Sequence, residues 1–221
     1  MAGNAPPAVT RLALIRHGQA QTYVDQVIGG HRGCTGLSDL GRRQAAALRD
    51  RLARTGELAS ATALYSSILP RAVETADIIA PVIGGAGTPI VRDRQCDLCE
   101  QHVGDEIDGL TWQELRDRYG PPVENGYEPW APGAESWAEF VARVGRMLLR
   151  LGRDHAGETV VVACHGGVVD ASFSVLGGLA ASRRVQLRTA YTENTSITEW
   201  VDDGQGWALA RYNDVAHLAG L

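Results

Sequence analysis

Short apolar runs recur along the chain, separated by stretches in which apolar residues return every three or four positions. Leu12–Arg16, Ala63–Ser66, Ile90–Arg94 and Thr159–Cys164 read as strands, the first, second and fourth mostly apolar and without polar alternation. Such runs suit parallel strands covered on both faces. The stretches between them read as helices. Ser38 stands where it can cap a segment whose Leu40, Leu48 and Leu52 fall near one face. Leu69-Pro70-Arg71 reads as a helix start with proline in the first turn, and Pro81 as its stop. Ser136-Trp-Ala-Glu139 is a capping box. It opens a helix with Trp137, Phe140, Val141, Val144, Leu148 and Leu151 on one stripe, which reads as core. Near the end, Thr195–Val201 and Trp207–Tyr212 flank Asp202-Asp-Gly-Gln-Gly206 and predict a hairpin.

The stretch from Gln95 to Pro132 breaks this rhythm. It is rich in Gly, Pro, Trp and acidic residues and holds one short helix candidate, Trp112–Arg118. Long irregular segments in compact domains often cover active sites, and residues 95–132 are read so. With no internal repeat or low-complexity linker, residues 1–221 are expected to form one domain.

Composition narrows the function classes. Hydrophobic residues at 44 % and charged residues at 21 % are ordinary for a globular chain. A formal net charge of -5 argues against a general nucleic-acid binder. An acidic protein that handles an anion must therefore gather its arginines in one pocket. The first ten residues carry no basic region followed by an apolar one, and no apolar run approaches a membrane span. Four scattered cysteines suggest no disulfide framework, so a cytoplasmic setting is expected.

Three strand ends carry the chemistry. The first runs into Arg16-His17-Gly18, the second into Ser66-Ser67-Ile68-Leu69-Pro70-Arg71, the fourth into His165-Gly166-Gly167. Ligands bind outside the carboxyl ends of the strands in open parallel sheets. The three junctions can thus converge on one pocket with two histidines and two arginines. Arginine offers a planar fork of donors to phosphate oxygens. Gly166-Gly167 at a helix start would let backbone N–H groups approach an anion. Neutral His17 can attack phosphorus while the arginines and His165 neutralise the equatorial oxygens. A carboxylic acid must then protonate the leaving oxygen.

These motifs resemble those of the histidine phosphatase superfamily, the phosphoglycerate-mutase-like fold. The resemblance rests on Leu14-Ile-Arg-His-Gly18, Ser67-Ile-Leu-Pro-Arg71-Ala-Val-Glu74-Thr75-Ala76 and Val162-Ala-Cys-His165-Gly-Gly167. Weaker matches are Gly41-Arg-Arg-Gln44-Ala45, Gly133-Ala-Glu-Ser136 and Asn194-Thr-Ser196-Ile197. It implies that His17 becomes a phosphohistidine, that Arg16, Arg71, His165 and Gly166 hold the phosphoryl group, and that Glu100 is the acid. The chain departs from the family at Gln19-Ala-Gln-Thr22, with Tyr23 where an asparagine is usual. It also carries an extra residue in Gly104-Asp-Glu-Ile-Asp108-Gly109-Leu110. Asp105, Glu106 and Asp108 lie close enough to compete with Glu100 for the acid's role.

Together these readings predict an α/β protein, a three-layer α/β/α sandwich with a mostly parallel sheet and an antiparallel edge strand. The expected activity is hydrolysis of a small phosphorylated metabolite through a phosphohistidine, with no metal or cofactor and no nucleic-acid or membrane partner. The alternatives are phosphoglycerate mutase-type transfer and a phosphate-binding protein without turnover. Gln101-His-Val-Gly104-Asp105 lacks the tyrosine and second glycine of the cofactor-dependent mutases, which favours hydrolysis. Cys96-Asp-Leu-Cys99 has redox or zinc spacing, yet with no second ligand pair in sequence it reads as two semi-buried thiols. Cys164 should point away from its neighbour His165 as a small buried filler. His31, Arg32, His102, Trp112 and Trp130 are candidates for the substrate side, and His155 and His217 for the surface.

Overall fold

The computed structural model describes residues 8–84, 91–121, 125–179 and 192–221. Its strands are β1 (Thr10–Arg16), β2 (Ala61–Ser66), β3 (Val91–Arg94), β4 (Thr159–Cys164), β5 (Ile197–Asp202) and β6 (Trp207–Asp214). The helices are α1 (Gln21–Val24), α2 (Asp39–Thr55), α3 (Pro70–Ile79), α4 (Trp112–Tyr119), α5 (Trp137–Asp154) and α6 (Gly166–Val175). The strands form one sheet in the order β3-β2-β4-β1-β5-β6. β1, β2, β3 and β4 pair in parallel, whereas β5 runs antiparallel to β1 and β6 to β5. The antiparallel edge is therefore a strand pair, as the hairpin pattern requires.

The unbroken apolar runs have the cause the sequence suggested. Along β1, Leu12 and Leu14 enter one buried cluster with α5 and α6. Ala13 and Ile15 enter another with Leu48 and Leu52 of α2 and Ile79 of α3. β4 alternates in the same way, Val160, Val162 and Cys164 against Val161 and Ala163. Both faces of Leu12–Ile15 and of Val160–Cys164 are buried, which is why these central positions are apolar while the polar residues Thr10, Arg11, Arg16 and Thr159 fall at the strand ends. Cys164 faces the α5–α6 layer as a fully buried filler, and burial pushes its thiol pKa up.

Local signals set the helix ends. Ser38 Oγ accepts from the Gly41 N–H at 3.1 Å and starts α2, which stops at Gly56 in the left-handed region (φ 66°). Pro70 occupies the first turn of α3, which tightens into a 3₁₀ turn over Ala80–Val82 at Pro81. The Ser136–Glu139 capping box is closed in both directions, and the stripe from Trp137 to Leu151 is buried. The third strand is described from Val91; Ile90 lies outside the described residues, as do the first seven.

The segment beyond β3 is mostly turns, with a 3₁₀ turn at Cys96–Leu98 and then α4. It carries its own small core, in which Ile107, Leu115 and Ala131 pack with Ile28 from the loop after α1. Glu100–Val103 and Trp112 of this segment line the same cavity as Arg16 and His17 at the end of β1.

Candidate active site

β1 and β4 pair in register with Arg16 opposite Cys164, and the His17 N–H donates to the Cys164 carbonyl at 2.9 Å. The two chains leave the sheet side by side. The rings of His17 and His165 therefore stand edge-on with centroids 5.0 Å apart. β2, on the other side of β4, runs into α3 and delivers Arg71 to the same place. Arg71 Nε donates to His17 Nε2 at 3.1 Å, and its Nη1 to the Gly29 carbonyl at 2.7 Å.

Those contacts fix the tautomer of His17. Nε2 accepts from Arg71, so the ring proton is on Nδ1, which donates to the Gly18 carbonyl at 2.6 Å. Burial, then Arg71 and Arg16, hold the ring's pKa well below the usual 6.5. The imidazole is neutral, with its lone pair on Nε2. His165 is fully buried and held neutral by burial, Arg71, His17 and Arg16. Neither of its ring nitrogens has a hydrogen-bond partner among the described residues, a costly state for a buried imidazole.

Arg16 Nη1 donates to the Thr192 carbonyl. Glu100 accepts from the Gln101 N–H through Oε1 and from the Gly167 N–H through Oε2, both at 3.0 Å. The α6 N-terminus was expected to offer its N–H groups to an incoming anion; at Gly167 that donor is held by Glu100. A Cβ at Gly167 would lie 2.0 Å from Glu100 Oε1, so only glycine admits this approach. At Gly166 a Cβ would meet the Arg16 side chain at ordinary contact distance, 3.6 Å.

Arg16, His17, Arg71 and Glu100 line one cavity of about 230 Å³, together with Tyr23, His31, His102 and Trp112. His165 lies beside it, sealed against His17. A second cavity of about 290 Å³ shares Glu100, Gln101, His102 and Trp112 with the first and adds Ile107, Leu115 and Trp130. The rings of Trp112 and Trp130 stand 6.2 Å apart.

The neighbouring carboxylates are placed elsewhere. Asp108 accepts from the N–H groups of Gly30, Arg32 and Gly33 at 2.7–2.9 Å, organising that loop. Glu106 accepts from the Tyr119 hydroxyl at 2.9 Å, and Asp105 is exposed. Arg32 is exposed and pairs with Asp105, so it is not in the cavity wall.

Two histidines expected at the surface are partly buried instead. His155 hydrogen-bonds Tyr65 at 3.0 Å and Glu158 at 2.8 Å. His217 meets Thr195 Oγ1 at 2.8 Å, and burial lowers its pKa to about 4. Tyr65 and Thr195 are distant in sequence, and no local motif announces them.

Other residues in supporting positions had no assigned role. Thr75 Oγ1 accepts from the Gly18 N–H at 3.1 Å and donates to the Arg71 carbonyl at 2.8 Å, joining two of the motifs. Asn194 Nδ2 donates to the His17 carbonyl at 2.9 Å. Arg143, buried in α5, pairs with Glu135 at 2.7 Å. The same guanidinium donates to the carbonyls of Cys96, Asp97, Cys99 and Glu100 at 3.0–3.4 Å. Its one sequence signal is an arginine three residues beyond Phe140, on the apolar stripe.

A family model described as the histidine phosphatase superfamily (branch 1) matches residues 12–215. Phosphoglycerate mutase-like protein 4 of Arabidopsis thaliana is 33 % identical over 213 residues, covering 94 % of this chain and 86 % of its own. A metal-independent phosphoserine phosphatase of the same plant is 31 % identical over 218 residues, covering 96 % and 85 %. Among solved structures, a mycobacterial glucosyl-3-phosphoglycerate phosphatase in complex with VO3 superposes with a TM-score of 0.73 at 26 % identity. It covers 92 % of this chain and 98 % of that one.

Proposed function

This chain belongs to the histidine phosphatase superfamily, and from that premise we propose that it hydrolyses small phosphate monoesters through a phosphohistidine on His17. The observation that carries the reading is the Arg71–His17 contact. It sets the tautomer of an imidazole that burial keeps neutral, with the lone pair on Nε2, in the wall of the cavity that Glu100 also lines. The phosphatase names of relatives on both the sequence and the structure side support it.

The reaction has two halves. A phosphoryl group held by Arg16, Arg71 and His165, with Gly166 beside them, takes over the Arg71 Nε donor and so frees the His17 Nε2 lone pair to meet phosphorus. The N–P bond forms as the P–O bond breaks, and the leaving oxygen takes a proton from Glu100. Water then attacks the phosphohistidine, giving its proton to the same carboxylate, and inorganic phosphate departs. Two guanidinium groups balance the charge on the transferring oxygens, so neither step requires a metal ion. The hydrogen bonds from Gln101 and Gly167 use one lone pair on each oxygen of Glu100 and leave another free to carry the proton that it delivers to the leaving oxygen and later takes from water. The second cavity, apolar on the side of Ile107, Leu115 and Trp130, gives the alcohol part of the ester a place beyond Glu100.

Hydrolysis and mutase-type transfer share the first half and separate in the second. The test is a panel of phosphorylated metabolites followed by phosphate release and product analysis. Stoichiometric inorganic phosphate supports the hydrolase. Return of the phosphoryl group to a second hydroxyl of the product, without phosphate release, contradicts it.

A further inference from the structure

We propose that His31, Cys96, Cys99 and His102 form a binding site for a thiophilic divalent cation of the zinc class, at the rim of the active cavity. One ligand atom from each residue can be chosen so that all four lie within 4.8 Å of one another. Cys96 Sγ is 3.5 Å from His31 Nε2 and 3.7 Å from His102 Nε2. With Zn–S near 2.3 Å and Zn–N near 2.05 Å, a sulfur–nitrogen edge of a tetrahedral site is about 3.6 Å. Two of the site's edges thus already have the length that one ion would impose. The imidazoles stand edge-on at 4.9 Å between centroids, so they converge rather than stack.

The Cys-x-x-Cys spacing alone says little; the fold brings it the second pair, His31 from 65 residues upstream and His102 just downstream. The turn between the cysteines is held from outside. The Cys99 N–H bonds the Cys96 carbonyl at 2.9 Å, and Arg143 gathers the carbonyls of Cys96, Asp97 and Cys99. Ser67 Oγ lies 3.3 Å from Cys99 Sγ, and the backbone N–H of His102 donates to Glu135 at 3.1 Å. Second contacts of this kind orient metal ligands.

Two thiolates and two neutral imidazoles suit a tetrahedral soft-to-borderline ion and disfavour magnesium or calcium. Binding releases the two thiol protons, and the dication with two thiolates is neutral overall. Four protein ligands leave no open position, so the ion activates no water. Its effect is to tie the His31 loop to the covering segment and to clamp the backbone on either side of Glu100. This inference stands apart from the phosphohistidine reading, and either can fail alone.

The test uses the full chain, reduced, stripped with chelator and titrated with CoCl2. One equivalent of cobalt should give strong visible bands and a near-ultraviolet thiolate-to-cobalt band, and one equivalent of ZnCl2 should bleach both. Cys96→Ser and Cys99→Ser should each lose about half of the charge-transfer intensity, one of the two thiolates being removed in each. Outer-shell changes cost up to about a hundredfold in affinity, so loss of a direct ligand should cost about that or more. His17→Ala should keep the cobalt spectrum, and Cys96→Ser should still form the phosphohistidine. A cobalt spectrum without the thiolate band overturns the site. So does zinc affinity unchanged in both cysteine variants, or a Cys96–Cys99 disulfide that persists under reducing conditions and takes no metal.

Discussion

Glu100 Oε2 accepts the Gly167 N–H at 3.0 Å, so the segment beyond β3 is anchored to the first turn of α6 by the carboxylate proposed as the acid. This contact exists only because residue 167 has no side chain. Gly167→Ala separates site from fold. Alanine is the better helix former by about 0.8–1 kcal/mol, so thermal stability should hold. The displaced carboxylate should nonetheless lower turnover of an alkyl phosphate about tenfold or more, a loss of about 1.4 kcal/mol of transition-state stabilisation. Unchanged turnover would show that Glu100 need not sit where Gly167 holds it.

Leaving-group dependence tests the role of Glu100. An alkyl alkoxide leaves only with a proton, whereas p-nitrophenolate leaves with little help. Glu100→Gln should slow phosphorylation of His17 by about 10²–10⁴-fold for an alkyl phosphate and far less for p-nitrophenyl phosphate. Bursts of leaving group in single-turnover runs measure both. Equal slowing would assign Glu100 to binding. The same dependence in Asp108→Asn instead would move the acid there.

Acidity makes a second signature. The pKa values of His17 and His165 are both depressed, first by burial. Each ring therefore contributes stability above the unfolded value of 6.5 that is lost as pH falls from there toward the folded value. Each should steepen the decline by up to about 1.4 kcal/mol per pH unit within that window. Urea unfolding between pH 7.5 and 5.5 should show this slope, reduced in His165→Asn. An NMR titration of His17 in the free protein should find its midpoint well below 6.5. A midpoint at or above 6.5 would contradict a neutral nucleophile.

Arg143 is a structural test of the covering segment. Arg143→Met leaves Glu135 without its buried partner and strips a donor from four carbonyls. Breaking a buried pair on one side costs about 3–5 kcal/mol, and its incomplete burial places the expected loss near the lower end. Denaturant unfolding measures it. A change below about 1 kcal/mol would mean that the pair is not holding the segment.

Much of this fold and site is legible in the sequence. The apolar runs at Leu12–Arg16 and Thr159–Cys164 announced buried parallel strands because both faces of each are covered. Ser38 and Ser136 announced helix starts because capping is a local event. Arg16, His17 and His165 sit at strand ends, where parallel topology gathers side chains. What stayed hidden depends on contacts between distant residues. Nothing near Cys96 in sequence points to His31, and nothing near Arg143 points to the carbonyls of Cys96 and Glu100. The use of Gly167 as a donor to Glu100, rather than to an anion, likewise requires the covering segment to be in place.

The central claim is a covalent bond between phosphorus and His17 Nε2. Rapid quenching of the protein with a turning-over phosphate ester, followed by peptide mapping under mildly basic conditions, tests it directly. An acid-labile, base-stable phosphoryl group should appear on the peptide carrying His17, formed and discharged at rates compatible with turnover. It should still form after chelator treatment, and His17→Ala should abolish both adduct and turnover. Full turnover in His17→Ala, or a phosphoryl group found on another residue, would contradict it.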